Sequence, residues 1–309
     1  MRQPFFKVSA RSRETNSISA ISYWGCRLLG LLTLIFFLAS HLEIWPFLRS
    51  STLETTTSKL SPTLSQSRAD CVEVASSYTP QDLVGIYGSM TEQYHRNIGS
   101  SSSISAILFD QGMLHTYGFN TVEGIRNFKA ALVMDPNCAM CYWGISYANG
   151  PNINTDVSAV MAKDSREASI SAMTIATSLQ RQSIGETDMA LIAAQTKLLS
   201  FASQDEWSNE TQKKLDELYM IAMRGAAERF PNDADIGAIY AESIINLSPW
   251  DYYKPRNADQ KLEPKELKES MKVAMAVLRS VLDKFPYHPL ALHLWIHITE
   301  SSTDPTQGT

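Results

Sequence analysis

The stretch from Ile107 to Asn154, ILFDQGMLHTYGFNTVEGIRNFKAALVMDPNCAMCYWGISYANGPNIN, decides the fold of this chain. Small and apolar residues stand 5, 8, 12 and 24 residues before Pro136, namely Ala131, Phe128, Gly124 and Gly112. Glycines let two helices approach closely, and apolar residues at helical spacing form a packed face. Because proline cannot continue a helix, one helix ends at Pro136 and a turn leads into the next. The stretch therefore predicts one helical hairpin and the start of a second.

The same kind of junction occurs at two later prolines. DP at 135–136 precedes NCAMCYWGISYA, FP at 230–231 precedes NDADIGAIYAES, and FP at 285–286 precedes YHPLALHLWIHI. Each is a helix end, a short turn and a new helix rich in small and aromatic residues. The prolines lie 95 and 55 residues apart, which are not multiples of the period of about 34 residues typical of helical-hairpin repeats. We therefore expect longer helices or insertions between the repeats.

Several of these strings resemble a family of tetratricopeptide-repeat proteins. The resemblance is carried by DPNCAMCYWG at 135–144, by GPNIN at 150–154, and by the later strings FPNDADIGAIYAE, LSPWDYY and HPLALHLWIHITESS. It covers about residues 105 to 305. The chain departs from the family at Thr121, where members usually carry histidine, and at Leu290, where they usually carry glycine. The resemblance implies an all-α, tetratricopeptide-like solenoid of stacked hairpins, and no particular reaction.

The pattern of helix formers and breakers places the helices along the domain. Short helices are expected between residues 71 and 99, followed by helices at about 104–118, 121–134, 138–149, 156–182, 186–202, 208–229, 233–247, 264–284 and 288–301. The last helix carries an apolar stripe of Leu290, Leu294 and Ile298. That stripe needs an earlier helix, a partner chain or further residues to cover it, and we expect the domain to be truncated at its C-terminus.

Composition separates the first seventy residues from the rest. The 309-residue chain is 44% apolar and 19% charged, and its net charge of −5 argues against nucleic acid as a partner. Eleven of the eighteen residues from 50 to 67 are Ser or Thr, a composition that cannot bury enough apolar surface to fold. We therefore divide the chain into a basic, hydrophobic leader at 1–48, a flexible stem at 49–69 and a tetratricopeptide-like helical domain at 70–309.

The leader combines basic residues with an apolar run. In residues 28–39 Thr33 is the only polar residue, and five basic residues come before: Arg2, Lys7, Arg11, Arg13 and Arg27. No small-x-small cleavage site follows, which favours an uncleaved signal anchor over a cleaved signal peptide. We expect a single-pass membrane protein whose helical domain is lumenal or extracellular. A secreted protein and an organelle-targeted protein are the alternatives.

Histidines near the end of the chain suggest a metal site. His293, His297 and Glu300 are spaced so that all three lie on one helix face, and His288 stands on the preceding turn. Imidazole and carboxylate ligands of this kind hold divalent transition metals such as zinc, iron or copper. This pattern predicts a metal-dependent enzyme as the alternative function. The competing interpretation is that the histidines cap helices and stack on aromatic residues.

Stacked hairpins form a concave groove, and a groove without catalytic groups favours a binding or scaffold role. We therefore expect a repeat protein that holds a protein, a peptide or a small ligand. The residues expected to face the groove or its edge are Trp143, Tyr147, Asn152, Asn154, Asp235 and Glu242. For Asn152 and Asn154, the competing interpretation is that the GPNIN loop only redirects the chain.

Cys138 and Cys141 form a CxxC pair at a predicted helix start, where a thiol pKa can be lowered for redox chemistry. No βαβ pattern surrounds the pair, and no second CxxC exists for zinc. Tight helix packing, or a disulfide from Cys71 to one of the two, is the preferred interpretation.

Overall fold

The computed structural model describes residues 78–178, 184–199, 208–255, 265–304 and 306. They form ten α-helices, with short 3-10 helices at Gly88–Gln93 and Thr196–Leu199. The α-helices are α1 (Pro80–Tyr87), α2 (Ser103–Tyr117), α3 (Thr121–Met134), α4 (Ala139–Ala148), α5 (Ala159–Ala176), α6 (Glu186–Gln195), α7 (Asn209–Arg229), α8 (Ala234–Ile245), α9 (Glu269–Lys284) and α10 (Pro289–Glu300).

The all-α prediction is confirmed for these residues. Each helix predicted from about residue 104 onward is present, although α5 and α9 begin a few residues later than expected. Extended pairing in the described ranges is limited to two isolated bridges. None of the helices in these ranges combines the length and the apolar character needed to cross a membrane. The predicted leader at 1–48, the stem at 49–69 and Cys71 lie outside the described residues.

Serine side chains fix the start of several helices. Ser102, Ser158 and Ser208 precede α2, α5 and α7, and each hydroxyl accepts the backbone N–H three residues later at 3.1 to 3.3 Å. The first amides of a helix have no carbonyl partner within the helix, so a capping oxygen stabilises the first turn by about 1 kcal/mol. The sequence thus sets these helix starts locally.

The three proline junctions share one hydrogen-bond pattern. Asp135, Phe230 and Phe285 each donate their backbone N–H to the carbonyl four residues earlier, at 2.8 to 2.9 Å. Their own carbonyls accept the N–H three residues later, at 3.0 to 3.1 Å. The residues that donate this second bond then cap the following helix with their side chains, and they are Cys138, Asp233 and His288. Different side chains therefore perform the same capping role at equivalent positions.

Phe128 of α3 packs between two neighbouring helices at their glycines. A Cβ atom at Gly112 of α2 would lie 2.5 Å from Cε1 of Phe128, and one at Gly144 of α4 would lie 2.7 Å from the same atom. A Cβ at Gly124 of α3 would lie 2.3 Å from the hydroxyl of Thr116 on α2. The close approach of α2 and α3, predicted from the glycines, is present, and it extends to α4.

The last helix packs against helices from both ends of the domain. Neighbouring helices contact one another along the chain, and α10 contacts α9, α8 and also α2. Leu290, Leu294 and Ile298 are fully buried as a result. The apolar stripe of the last helix is therefore covered by earlier helices of the same domain.

Candidate functional site

A buried arginine joins three aspartates near the starts of two helices. The guanidinium of Arg96, on the segment before α2, donates to Asp188 at 2.8 Å, to Asp233 at 3.2 Å and to Asp235 at 2.8 Å. Asp188 lies in the first turn of α6, Asp233 caps α8, and Asp235 lies in its first turn. The positive end of a helix dipole favours carboxylates at such positions. The arginine side chain is only 8% exposed, so this cluster is an internal ion network.

Asp235 is the centre of the network because both of its oxygens accept hydrogen bonds. Oδ2 accepts from Arg96, and Oδ1 accepts from the hydroxyls of Tyr94 at 3.1 Å and Tyr117 at 2.6 Å and from Nε2 of His288 at 3.1 Å. Burial alone would raise the pKa of this carboxyl. The His288 hydrogen bond and the Arg96 charge outweigh burial and hold the pKa of Asp235 well below its usual range.

His288 uses both ring nitrogens in this arrangement. Nδ1 accepts the backbone N–H of Ala291 at 3.3 Å, so the proton of the neutral ring is on Nε2, which donates to Asp235. A metal ligand needs a free nitrogen lone pair, and His288 has none while both bonds are present. His288, which was predicted as a metal ligand, therefore caps α10 and donates to Asp235 in this structure.

Residues expected to face a groove meet across the interior instead. The hydroxyl of Tyr147 on α4 donates to Glu242 of α8 at 2.5 Å, and Trp143 stacks on Tyr147 with ring centroids 5.2 Å apart. Trp143, Asp235 and Glu242 are buried. Burial raises the pKa of Glu242 to about 7, against the lowering effect of the Tyr147 hydrogen bond. These side chains therefore contact one another, and no open groove separates Tyr147 from Glu242.

An open cavity of ≈590 Å³ borders the arginine network, and Arg96 and its three aspartates line part of it. Asp235 lines it, whereas Trp143, Tyr147, Glu242 and the two asparagines of the GPNIN loop do not. Its other walls come from the segment around Arg96, from the start of α6 and from the junctions before α8 and α10. They include Asn97, Thr187, Asn232, Phe285 and Tyr287.

The GPNIN loop is held by the aromatic loop that follows α8. The side-chain amide of Asn246 donates to the carbonyl of Pro151 at 3.0 Å, and the indole N–H of Trp250 donates to the carbonyl of Ile153 at 2.8 Å. Within the loop, Oδ1 of Asn152 accepts the backbone N–H of Asn154 at 2.9 Å. These bonds fit the interpretation that the loop redirects the chain. Ligand binding by Asn152 and Asn154 stays a prediction.

His293 and His297 form a hydrogen-bonded pair on α10. Nδ1 of His293 donates to the carbonyl oxygen of Tyr117 at 2.6 Å, and Nδ1 of His297 donates to Glu300 at 2.8 Å. The two Nε2 atoms face each other at 3.0 Å. Because both Nδ1 atoms donate, a proton between the two Nε2 atoms is the second proton of one ring, which makes that ring an imidazolium. Burial lowers the pKa of His293. The structure thus brings together the three residues that the helix spacing predicted.

Two aromatic residues with unusual backbone conformations enclose this pair. Phe119 and Trp250 have φ of 60° and 63°, and within the described ranges they are the non-glycine residues with positive φ. The Phe119 ring lies 4.3 Å from the ring of His293 and stacks on that of His297 at 5.9 Å. The Trp250 ring meets His297 edge-on at 5.3 Å. Strained backbone of this kind costs about 1–3 kcal/mol and is concentrated at functional sites.

The two cysteines of the CxxC pair are bonded to each other. Cys138 and Cys141 form a disulfide, and both are fully buried at the start of α4. The expectation of a bond from Cys71 to one of them is therefore replaced by a bond within the pair.

Sequence reasoning missed Arg96 and Asp188, because neither stands in a recognisable motif. Asp110 is different, since it interrupts the apolar run of α2, and a charged residue inside such a run signals a buried partner. Its carboxylate accepts from Nδ1 of His95 at 2.7 Å and from the backbone N–H of Arg96 at 3.1 Å. Burial raises the pKa of Asp110 to about 6. Asp110 thus helps to position the segment that carries the arginine.

In the ranges that the structure describes, no group of three or more His, Cys, Asp and Glu side chains is arranged to hold a metal ion. Comparison with protein-family models, with curated proteins and with solved structures finds no match to this chain.

Proposed function

We propose that this chain is a tetratricopeptide-like helical-repeat protein that binds a peptide segment of a partner protein in the cavity above Arg96. The observation that supports the repeat architecture best is the shared hydrogen-bond pattern of the junctions at 135–138, 230–233 and 285–288. A repeated local structure is what a repeated sequence unit produces. The resemblance of residues 105 to 305 to tetratricopeptide-repeat proteins supports the same proposal.

The walls of the cavity suit a peptide. Tyr287 is 72% exposed and Phe285 is 42% exposed, so the rim offers apolar area that is free to pack against side chains of a ligand. Asn97 and Asn232 supply side-chain amides. Their Oδ1 atoms already accept from the backbone N–H of Gly99 at 3.1 Å and from Nζ of Lys284 at 2.9 Å. Each side chain also has an NH₂ group, which can donate to the carbonyl groups of a peptide backbone.

The charges below the cavity support a binding role rather than a catalytic one. Arg96 directs its guanidinium to three carboxylates, and Asp235 accepts four hydrogen bonds. Groups so fully engaged preorganise the cavity floor and keep its shape when the ligand leaves. We further propose that the leader at 1–48 anchors the domain to a membrane, with the domain on the lumenal or extracellular side.

The test is a selection of random peptides on the purified full chain, followed by titration of a selected, fluorescently labelled peptide. Tyr287→Ser removes the most exposed aromatic ring of the rim and should weaken binding about tenfold. Val133→Ser is the matched control, because Val133 is 70% exposed on α3 and does not line the cavity. Binding to this control should equal binding to the unmodified chain. Equal binding to both variants, or a selection that yields no binding peptide, would contradict the proposal.

A further inference from the structure

We infer that His293 and His297 bind one divalent transition-metal ion, such as Cu²⁺, through their facing Nε2 atoms. This inference goes beyond peptide binding and concerns a different part of the domain. It rests on the orientation of the two rings, on their hydrogen bonds and on the shape of the surrounding surface.

The remaining ring nitrogens are bonded as they are in metal-binding histidines. A metal-ligating histidine almost always donates its other N–H to a carbonyl or a carboxylate, which fixes the tautomer and the ring orientation. Here Nδ1 of His293 donates to the carbonyl of Tyr117, and Nδ1 of His297 donates to Glu300. Both Nε2 atoms are thereby directed toward the same point. Glu300 orients a ligand in this arrangement and is not a ligand itself.

The separation of the two Nε2 atoms suits an ion bound between them. At metal–nitrogen distances of about 2.0–2.1 Å, their separation of 3.0 Å corresponds to an angle of about 95° at the metal. An angle near 90° belongs to the square-planar or tetragonal coordination of Cu²⁺ and Ni²⁺.

The ring positions are those expected for two imidazoles that share one ion. Two imidazoles pointing directly at each other across 3.0 Å would have centroids about 5.3 Å apart, and two that converge at about 95° would have centroids about 4.7 Å apart. The observed centroid distance is 4.7 Å. A metal ion would replace the single proton that the two nitrogens share.

The surroundings hold the two rings in place beside the solvent-exposed end of α10. Phe119 packs on both imidazoles, and Trp250 meets the edge of His297. Glu300 is 43% exposed, so the site borders solvent. Two protein ligands and two or more waters give an ion that is bound by the domain and still open to exchange.

The test is a titration of the purified full chain with Cu²⁺, followed by electron paramagnetic resonance. We expect one ion per chain with two equatorial imidazole nitrogens. His297→Gln should abolish this signal, and Glu300→Ala, which leaves no acceptor for Nδ1 of His297, should weaken binding 10- to 100-fold through loss of the orienting bond. His95→Gln is the control, because His95 is exposed and bonded to Asp110, and it should bind as the unmodified chain does. Circular dichroism checks that each variant keeps its helices.

Tryptophan fluorescence provides a second readout that requires no change to a ligand. The Trp250 ring lies 5.3 Å from the ring of His297, so bound Cu²⁺ should quench its emission. Trp250→Phe should remove that share of the quenching while Cu²⁺ remains bound. A spectrum of the unmodified chain with one imidazole nitrogen or none would overturn the inference, and so would an unchanged signal in His297→Gln.

Discussion

The hydroxyl of Tyr117, at the end of α2, donates to Oδ1 of Asp235 at the start of α8 across 2.6 Å, although 118 residues separate the two in sequence. The same oxygen accepts from Tyr94 and from His288. One buried carboxylate therefore joins four parts of the chain: the segment before α2, the end of α2, the start of α8 and the start of α10.

Tyr117→Phe should lower the free energy of unfolding by about 1.5–3 kcal/mol, because it removes a hydrogen bond to a buried charged group and leaves the ring in place. Denaturation in urea measures this change. Tyr287→Phe is the matched control, since the Tyr287 side chain is largely exposed, and its effect should stay within about 0.5 kcal/mol. A similar small effect for both variants would show that Asp235 does not depend on Tyr117.

Glu242 should make the domain less stable as pH rises. Its pKa is about 7 in the folded protein against an ordinary value of 4.5. Between pH 4.5 and pH 7 the folded state therefore keeps a proton on Glu242 that the unfolded state has released. The free energy of unfolding therefore decreases from pH 4.5 to pH 7, by about 3 kcal/mol in total from this group. Glu242→Gln removes the titrating group and should remove this part of the decrease.

Denaturation at pH 5 and at pH 8 checks this expectation. The loss of stability between the two values should be about 2.5 kcal/mol smaller in Glu242→Gln than in the unmodified chain. The other buried acids, including Asp110, are the same in both proteins, so their contributions cancel in the comparison. Parallel pH profiles would mean that Glu242 titrates normally in the fold.

Gly144→Ala should destabilise the domain by about 1–3 kcal/mol, because the new methyl group would collide with Phe128. Phe128 is fully buried, and a Cβ at Gly112 of α2 would meet the same ring atoms. Gly225→Ala in α7 is the control, because a Cβ there meets nothing within 4 Å. Alanine favours a helix over glycine, so this variant should gain up to about 1 kcal/mol.

Thermal unfolding of the two alanine variants distinguishes close packing from ordinary helix propensity. The midpoints should move in opposite directions. Adding Phe128→Leu to Gly144→Ala should restore part of the lost stability, since the smaller side chain makes space for the methyl group. If both alanine variants were stabilised, the three helices would not be as close as described.

Trp250→Phe should loosen the GPNIN loop, because it removes the bond from the indole N–H to the carbonyl of Ile153. A hydrogen bond of about 0.5–1.5 kcal/mol corresponds to about a 2- to 10-fold change in local opening. Hydrogen exchange of the amides of Asn152, Asn154 and Thr155 measures it, since all three are bonded within the loop. Amides of α2 serve as the internal reference. Unchanged exchange in the loop would contradict the expected support.

Local features of the sequence were enough to predict the helices. Pro136, Pro231 and Pro286 end helices because of their own chemistry, and the glycines facing Phe128 permit close packing. Both effects act between residues that are near in sequence, so a pattern of residue types reveals them. The same holds for the spacing of His293 and His297, which one helix turn fixes.

The candidate site was less accessible to sequence reasoning, because its contacts join distant residues. The repeat register predicted that Tyr147 and Glu242 face the same groove. Nothing in the pattern indicates that these two residues, 95 apart in sequence, are close enough to form a hydrogen bond. Arg96 stands in a segment without helical periodicity, and its partners lie 92 to 139 residues further on. His288 matched a metal ligand by type and spacing, whereas its second role as a helix cap depends on the turn that precedes it.

The buried arginine also affects how the domain unfolds. Arrays of helical hairpins, in which each unit contacts only its neighbours, can unfold piece by piece from their ends. Here Arg96 bonds at once to α6 and α8, and α10 packs on α2. Loss of either terminal part would leave charged groups unpaired in the interior, at several kcal/mol. Early and late segments of this domain should therefore melt together, as a single cooperative unit with no partly unravelled intermediate.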